Sequence, residues 1–475
     1  MVLYRWMCSC LVCVLAAAGL AAVSHGGESS PPTAVPIGLA KVDITPETPV
    51  RMYGYAARKT ESEGVAGRLK ATAMAIGDDA GEGPAVLLTV DCGSVPSDLR
   101  ETVFQRVAET ARIAPERFVL CNAHNHSGPN LKGMGSIEGA ERDRLARYAE
   151  LLTDRLTGVV KEALGNRQPA RLELARGAVG FAGNRRVLTD GKWSGFGCVP
   201  DAPVDHELAV LKVSRDGRVV ALVANYACHN TTLRGNFTQI HGDWAGCAQE
   251  CIESDQPGVL AMITIGCGAD SDPCPHGTVA LCEQHGRALA DEVSRLLAGP
   301  WIPIRPVLAA RSTVLAIPYA KAPDPEAARG AAGASSAPRA PRDKLEKEGR
   351  APRSRAYPIV VWTFGDNLAM VFLSNEVVVD YALRLKRELD ASRLWVTAYA
   401  NEVSGYVVSK RLIAEGGYEP RNSLSSQVTF GRPETLEPAM EKRIIERVKD
   451  MLPKAFHTER EADEKREADQ DAEQA

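Results

Sequence analysis

Histidines follow two of the short apolar runs in this sequence of 475 residues. His124 and His126 come after the run that ends at Cys121, and His229 comes after the run that ends at Tyr226. Neutral imidazole binds Zn²⁺, and its unperturbed pKa of about 6.5 also suits acid–base catalysis. The spacing therefore predicts a site that combines metal ligands with proton carriers.

Carboxylates occupy equivalent positions after three other apolar runs: Asp91, Asp270, Asp272 and Glu376. In open α/β sheets, ligands bind outside the carboxyl ends of the strands. Loops are generally polar, and that alternative is sufficient for any single position. The recurrence of imidazoles and carboxylates after several runs nevertheless favours one common site.

His124 and His126 are separated by one residue, and residues with this spacing point to the same side of an extended chain. Gly128 and Pro129 then break the strand. We therefore expect both rings at the sheet edge, where one could bind zinc and the other could carry a proton. For His229, the alternative is a buried histidine that is only hydrogen-bonded.

The apolar runs are short, rich in β-branched residues and bounded by Gly, Asp or Asn, which predicts strands. The predicted strands cover residues 85–90, 117–121, 219–226, 259–265, 359–364, 369–373 and 394–399. Amphipathic stretches predict helices over residues 98–112, 140–164, 279–297 and 377–389. The alternation predicts an α/β fold, a layered domain with a mixed β-sheet flanked by helices and a metal site at the strand carboxyl ends.

Composition and charge exclude several classes of protein. The chain is 45% hydrophobic and 24% charged, as globular proteins are, and its net charge of -4 offers no basic face for nucleic acid. Arg5 precedes an apolar stretch, which predicts a signal peptide over residues 1–26 and an exported protein, periplasmic or extracellular, after cleavage. Without cleavage, residues 6–23 approach the length of about 20 residues that spans a bilayer, so a membrane anchor is the alternative.

Two stretches differ from the rest in composition. Residues 321–354 consist mainly of Ala, Pro, Arg, Lys and Glu, which predicts a mobile insertion, and residues 457–475 form a charged tail. Three of the 12 cysteines lie in the predicted signal peptide, so at least one of the others should stay free. A disulfide could form among Cys198, Cys267, Cys274 and Cys282, without a pairing that the sequence can decide.

Several segments resemble the neutral/alkaline non-lysosomal ceramidase family. They include residues 38–46 (GLAKVDITP), 52–55 (MYGY), 124–129 (HNHSGP) and 228–233 (CHNTTL). The resemblance runs from about residue 38 to about residue 431 and implies a ceramidase-like catalytic domain over residues 37–456. It also implies a zinc-dependent hydrolase that cleaves a linear amide, N-acylsphingosine or a related N-acyl amine, into fatty acid and amine, and it leaves a peripheral membrane contact open.

The resemblance also assigns roles to residues. It implies zinc ligands at His124, His229, Glu376 and Tyr406, and catalytic or substrate-binding roles for His126, Arg185 and Tyr418. In the implied mechanism, Zn²⁺ polarises the amide carbonyl and activates water, while His126 carries a proton to the leaving amine. Arg185 and Tyr418 would hold the substrate or the developing oxyanion.

The sequence departs from the family at residues 268–273 (GADSDP), where ceramidases carry Gly-Asp-x-Ser-Pro. Aligned on the proline, Asp272 replaces a serine with an assigned part in amide cleavage, and Ser271 stands one position early. A nucleophilic serine is therefore not expected, and Asp272 could orient His126, bind a substrate hydroxyl or act on the water. Two alternatives stay open: a same-fold metallohydrolase for a non-lipid amide or ester, and a catalytically inactive binding protein.

Overall fold

The computed structural model describes residues 34–318, 354–423 and 439–458. The predicted signal peptide, residues 321–353 of the predicted insertion and the tail from residue 459 lie outside the described residues. Within the described ranges, no helix has the length and apolarity needed to cross a membrane.

The described residues alternate between strands and helices as the apolar patterns predict. The strands are β1 (Val35–Asp43), β2 (Gly64–Val65), β3 (Lys70–Ile76), β4 (Ala85–Val90), β5 (Phe118–Asn122), β6 (Gln168–Ala178), β7 (Ala182–Thr189), β8 (Lys192–Val199), β9 (Glu207–Arg215), β10 (Arg218–Tyr226), β11 (Gln239–Ile240), β12 (Leu260–Ile265), β13 (Ser271–Pro273), β14 (Ile302–Ile304), β15 (Leu308–Pro318), β16 (Ser354–Phe364), β17 (Leu368–Leu373), β18 (Glu376–Val377), β19 (Leu394–Thr397) and β20 (Tyr406–Val407). The α-helices are α1 (Ser97–Ala108), α2 (Gly139–Gly165), α3 (Asp243–Asp255), α4 (Val279–Leu297), α5 (Val379–Glu388), α6 (Lys410–Glu415), α7 (Tyr418–Arg421) and α8 (Met440–Met451).

Two sheets dominate the described part of the chain. The larger has the order β12-β10-β9-β6-β1-β3-β4-β5, with β14 beside β6, and it is antiparallel except at β10–β12 and β4–β5. The smaller has the order β15-β16-β17-β19 and is parallel at β17–β19. The predicted α/β fold with a mixed sheet is therefore confirmed.

The core explains why the central strands are apolar at nearly every position. In β4, Val86 and Leu88 pack in the cluster that includes α1 and α2, whereas Leu87 faces the smaller sheet with Met370 and Trp395. A strand that is buried on both faces reads as a continuous apolar run. Each fully buried aliphatic side chain stabilises the fold by about 1.5–3 kcal/mol.

Helix and strand boundaries deviate from the predictions near the site. The helix predicted over residues 98–112 ends at Ala108, and the one predicted over residues 377–389 begins at Val379. Glu376 and Val377 form β18 instead, because they pair with Tyr406 and Val407 of β20. This short parallel pair is invisible to a periodicity argument because it contains only two residues on each side.

The strand ends that carry the predicted site residues are tied together by backbone hydrogen bonds. The N–H of Asn122 donates to the carbonyl of Tyr399 (3.1 Å), and the N–H of Tyr399 donates to the carbonyl of Asn375 (3.0 Å). The N–H of Ala398 donates to the carbonyl of Ile265 (2.9 Å). The loops after β5, β12, β17 and β19 therefore meet at one edge.

Candidate metal centre

His124 and His229 are buried and anchored in the same way. The Nδ1 atom of His124 lies 3.1 Å from the carbonyl oxygen of Gly93, and the Nδ1 atom of His229 lies 2.9 Å from the carbonyl oxygen of Gly268. An N–H at Nδ1 donates to each carbonyl, which makes Nε2 of each ring an acceptor. Both rings consequently present acceptor atoms to the space between them.

The carboxylate of Glu376 lies at the same point. Its Oε2 atom is 3.1 Å from Nε2 of His124 and 3.4 Å from Nε2 of His229, while Nε2 of His126 lies 3.2 Å from Nε2 of His124. Despite these short distances, Oε2 of Glu376 is buried without a hydrogen-bond donor among the described residues, since Nε2 of both anchored rings is an acceptor. We call His124, His126, His229 and Glu376 the imidazole–carboxylate cluster.

The buried acceptors of this cluster require either extra protons or a cation. Burial lowers the pKa of His126 and His229, which disfavours a second proton on these rings. Burial alone raises the pKa of Glu376, and only positive charge at the adjacent imidazoles, from protons or from a bound cation, would hold it below its usual range. The ligand nitrogens of the three histidines lie within 4.8 Å of one another and could hold a metal ion. Imidazole and carboxylate ligands fit Zn²⁺.

His126 differs from the other two histidines because no carbonyl anchors its ring. Its Nδ1 atom is buried without a partner among the described residues. Gly54 packs directly on this atom: with φ at +94°, a Cβ there would lie 2.2 Å from Nδ1. The rings of Tyr53 and Tyr55 contact the imidazole edge-on, with centroids 5.3 and 5.1 Å away. His126 is thus held by packing and by its contact with Nε2 of His124, without the backbone anchor that fixes the other two rings, which suits a proton carrier better than a fixed ligand.

The expectation that a shared strand face aligns His124 and His126 is wrong. β5 ends at Asn122, and His124 itself adopts a left-handed backbone with φ at 51°. Asn375 (φ 72°) and Tyr399 (φ 55°) are left-handed beside it. Such residues are strained unless surrounding structure fixes them. The rings of His124 and His126 are still in contact, with centroids 4.8 Å apart. The left-handed turn after β5 brings them together, and not the alternation of side chains along an extended strand.

Arg185 on β7 connects the remaining predicted site residues. Its Nε donates to Glu419 (2.9 Å), its Nη1 donates to Asp272 (3.2 Å), and its Nη2 donates to the hydroxyl of Tyr406 (3.1 Å). Tyr406 pairs directly with Glu376 in the β18–β20 register. The guanidinium therefore lies against the candidate zinc ligands and fixes the orientation of the phenol.

The arginine belongs to a second group of buried charges. Glu419 also accepts from Arg186, and the other oxygen of Asp272 accepts from Arg234 (3.0 Å). Although burial opposes it, the charges of Arg185 and Arg234, together with the hydrogen bond from Arg185, lower the pKa of Asp272 to about 2. We define the arginine–carboxylate cluster as Arg185, Arg186, Arg234, Asp272, Glu415 and Glu419.

Tyr418, the first residue of α7, closes the group on the solvent side. Its ring lies 5.7 Å from that of Tyr406 and 5.2 Å from that of Phe196, and it is 37% exposed. The eight residues singled out from the sequence therefore form one continuous group: His124, His126, Arg185, His229, Asp272, Glu376, Tyr406 and Tyr418. Their individual roles stay predictions.

Two carboxylates expected at the common site serve the scaffold instead. Asp270 accepts from the N–H of Val379 (2.9 Å) and from the amide of Asn184 (3.1 Å), and Asp91 accepts from the amide of Gln249 (2.9 Å). Burial raises the pKa of each aspartate to about 6. Both follow an apolar strand as the site histidines do, but their oxygens hold neighbouring loops and helices in place.

Sequence reasoning missed several residues of the site. Glu419 directly follows Tyr418, and Tyr399 closes a predicted strand, so position could have indicated both. Arg58 donates to the carbonyls of His126 and of Arg234, a role without any sequence signal. These contacts depend on which loops meet in the folded protein, and this cannot be predicted from a single sequence.

The fold and the cluster define an α/β protein with a candidate metal centre at its strand ends. Residues 36–264 match the family described as neutral/alkaline non-lysosomal ceramidase, N-terminal. The resemblance that the sequence motifs indicate is therefore confirmed over residues 36–264.

Two solved structures share the fold. The neutral ceramidase from Pseudomonas aeruginosa aligns with a TM-score of 0.67 at 17% identity, over 89% of this chain and 75% of that chain. A structure described as ceramidase complexed with C2 aligns with a TM-score of 0.68 at 18% identity, over 89% and 76%. No curated protein matches the sequence.

Proposed function

We propose that this protein is a zinc-dependent hydrolase that cleaves the amide bond of an N-acyl amine, N-acylsphingosine or a related linear amide, to release a fatty acid and an amine. One observation carries the proposal. The carboxylate oxygen of Glu376 is buried between two anchored imidazoles and has no donor among the described residues, and a cation between them would satisfy all three acceptors at once. A bound Zn²⁺ would supply Lewis acidity and lower the pKa of water toward about 7.

The ligand set that we propose is His124, His229, Glu376 and Tyr406. The hydroxyl of Tyr406 already accepts a hydrogen bond from Arg185, which stabilises electron density on the phenol oxygen. Burial raises the pKa of Tyr406, and the charge of Glu376 raises it further despite the opposing charge of Arg185, so a second cation would be needed to favour the phenolate form. Four separate segments of the chain would thus supply the ligands of one ion: the loops after β5 and β10, and the strands β18 and β20.

His126 is the proposed proton carrier. Burial keeps it neutral, and its Nε2 faces the cluster at 3.2 Å from Nε2 of His124. A neutral imidazole in this position can accept a proton from the attacking water and return it to the leaving amine. The nitrogen of an amide must gain a proton before it leaves, so this transfer governs bond cleavage.

Arg185 is proposed to hold the substrate oxygen, together with Tyr418. Four of its five N–H groups face Glu419, Asp272, Tyr406 and, at 3.5 Å, Nε2 of His229. One N–H on Nη2 has no partner in the described part of the chain. A buried, fixed donor of this kind stabilises a developing oxyanion without rearranging first.

Asp272 is proposed to position Arg185. Its two oxygens are engaged by Arg185 and Arg234, its pKa is about 2, and no described contact joins it to His126. It therefore remains a carboxylate at neutral pH and does not replace the family serine as a nucleophile. This charge favours one second candidate, a metallohydrolase for a more polar, non-lipid amide or ester.

The test uses purified full-length protein and a panel of N-acyl amines that includes N-acylsphingosine, with matched esters. We expect amide hydrolysis that is lost on chelation and restored by added Zn²⁺. Cleavage of the esters alone would support the second candidate. Absence of any cleavage by protein with stoichiometric zinc would leave a catalytically inactive binding protein.

We also propose that the protein is exported to the periplasm or beyond the cell and that its signal peptide is cleaved. A disulfide between Cys198 and Cys274 supports the proposal because such bonds persist in oxidising compartments. Mass spectrometry of protein from each cell fraction should find the mature form outside the cytoplasm. Full-length protein in the cytoplasmic fraction would refute it.

A further inference from the structure

A cavity of about 550 Å³ lies beside the imidazole–carboxylate cluster. Tyr53 and Tyr55 line it, and the rings of the same two residues contact His126 edge-on. A molecule that reaches the imidazoles along these tyrosines can therefore extend into the cavity. The cavity is large enough for a small polar group, and none of the roles proposed above uses it.

The walls of this cavity are basic. Arg51, Arg58, Lys59 and Lys132 line it, and none of the described lining residues is an aspartate or a glutamate. Arg51 is the exception in having an acidic partner, Glu141. Because like charges around one space repel each other, the cavity favours an anion at its centre.

The donors of these cations are incompletely used. Arg58 donates only to backbone carbonyls, Lys132 donates to the carbonyl of Ser404 (2.9 Å), and Lys59 has no partner in the described part of the chain. Nε of Arg51 is buried and also lacks a partner. Donors of this kind favour an oxyanion, which can accept several charge-assisted hydrogen bonds at once.

Lys132 interacts electrostatically with the carboxylate of Glu376 in the candidate metal centre. It keeps an exposed surface because it lines the cavity, yet surrounding protein desolvates its ammonium and lowers its pKa. The carboxylate of Glu376 opposes that shift. The hydrogen bond from Lys132 to the carbonyl of Ser404 connects this wall of the cavity to the segment that leads into β20, which carries the candidate ligand Tyr406.

From this geometry we infer that the cavity binds a carboxylate or similar anionic group carried by the substrate, so that the preferred substrates are anionic N-acyl amines. The inference rests on the proposed amide hydrolysis and names its substrate class. The charge can come from the amine half, as in an N-acyl amino acid, or from the acyl half, as in the amide of a dicarboxylic acid.

The experiment compares matched substrates with zinc-loaded protein. N-octanoylglycine is paired with N-octanoylethanolamine for the amine half, and N-glutarylbutylamine is paired with N-pentanoylbutylamine for the acyl half. We expect kcat/KM to favour the anionic member of one pair by about ten- to hundredfold, as hydrogen bonds to charged groups do. Equal values within both pairs would overturn the inference while the hydrolase function stands.

Two sets of variants test whether the preference for anionic substrates arises in the cavity. Lys59→Met combined with Lys132→Met should bring the ratio within the favoured pair close to one, whereas Lys454→Met, outside the cavity, should leave it unchanged. A ratio that survives the double substitution contradicts the inference. If no amide is cleaved, the proposed function fails, and the anion site is tested by calorimetric binding of the same pairs. Tighter binding of the anionic member that is lost in the double variant supports an anion site in the cavity. Equal binding of both members refutes it.

Discussion

The imidazole–carboxylate cluster and the arginine–carboxylate cluster lie in contact, with Nη1 of Arg185 3.5 Å from Nε2 of His229, yet they treat buried charge in opposite ways. In the arginine–carboxylate cluster three guanidiniums face three carboxylates, and the charges balance. In the imidazole–carboxylate cluster, acceptor atoms face one another. Burial of ionisable groups alone therefore does not reveal a ligand site, whereas a surplus of acceptors does.

The largest effect should follow from removing an anchored imidazole. His124→Ala and His229→Ala should each lose the metal and essentially all turnover, because each deletes a predicted ligand whose Nδ1 is fixed by a carbonyl. Elemental analysis of purified protein gives the zinc content per chain. Stoichiometric zinc in both variants would falsify the ligand assignment.

His126→Ala separates proton transfer from metal binding inside the same cluster. Because its ring lacks a carbonyl anchor, we expect zinc to stay bound while turnover falls by about 10²–10⁴-fold. Zinc content and kcat are measured on the same preparation. Loss of zinc would make His126 a ligand, and near-normal turnover would assign the proton to another group.

Glu419→Ala tests whether the arginine–carboxylate cluster is balanced. The substitution leaves Arg185 and Arg186 buried without their shared carboxylate and should lower the free energy of unfolding by about 3–5 kcal/mol. Urea unfolding measures the loss, and Glu446→Ala, which removes an exposed pair with Lys442, should change it by less than about 1 kcal/mol. Equal effects of the two substitutions would mean that the buried charges are not mutually dependent.

The smallest predicted effect is the pH dependence that Asp272 confers. Its pKa in the folded protein, about 2, lies below the ordinary value of 3.8, so its stabilisation is present above pH 3.8 and is lost as the pH falls through about 2. The free energy of unfolding of the native protein should exceed that of Asp272→Asn by about 2 kcal/mol near neutral pH. This difference should vanish toward about pH 2. Urea titrations across this range measure it; a constant difference would show that shape and not charge is responsible.

The fold class and the location of the site were predictable because both depend on short-range patterns. The strand predicted over residues 219–226 and the helix predicted over residues 279–297 match β10 and α4, since an apolar run or stripe in the sequence becomes a buried face in the fold. The family resemblance then supplied residues that no periodicity marks, such as Tyr406, which lies in a strand of two residues.

The contacts that distinguish this site were not predictable, because they join loops distant in sequence. Asp91 and Asp270 follow strands just as His124 does, yet their oxygens are taken by Gln249 and by the start of α5. The packing of the neighbouring segments decides which of the strand-end carboxylates is left without hydrogen-bond donors. The sequence thus identifies candidates, and only three-dimensional contacts separate scaffold from site.

The left-handed backbone of His124 sets stability and activity against each other. A non-glycine residue in this conformation costs about 1–3 kcal/mol, and glycine adopts it without strain. Replacement of His124 by glycine would relieve this strain but would also remove a buried ring and its hydrogen bond to Gly93. The strained turn brings the imidazole to within 3.1 Å of Glu376, so backbone strain and the position of a candidate ligand are linked at one residue.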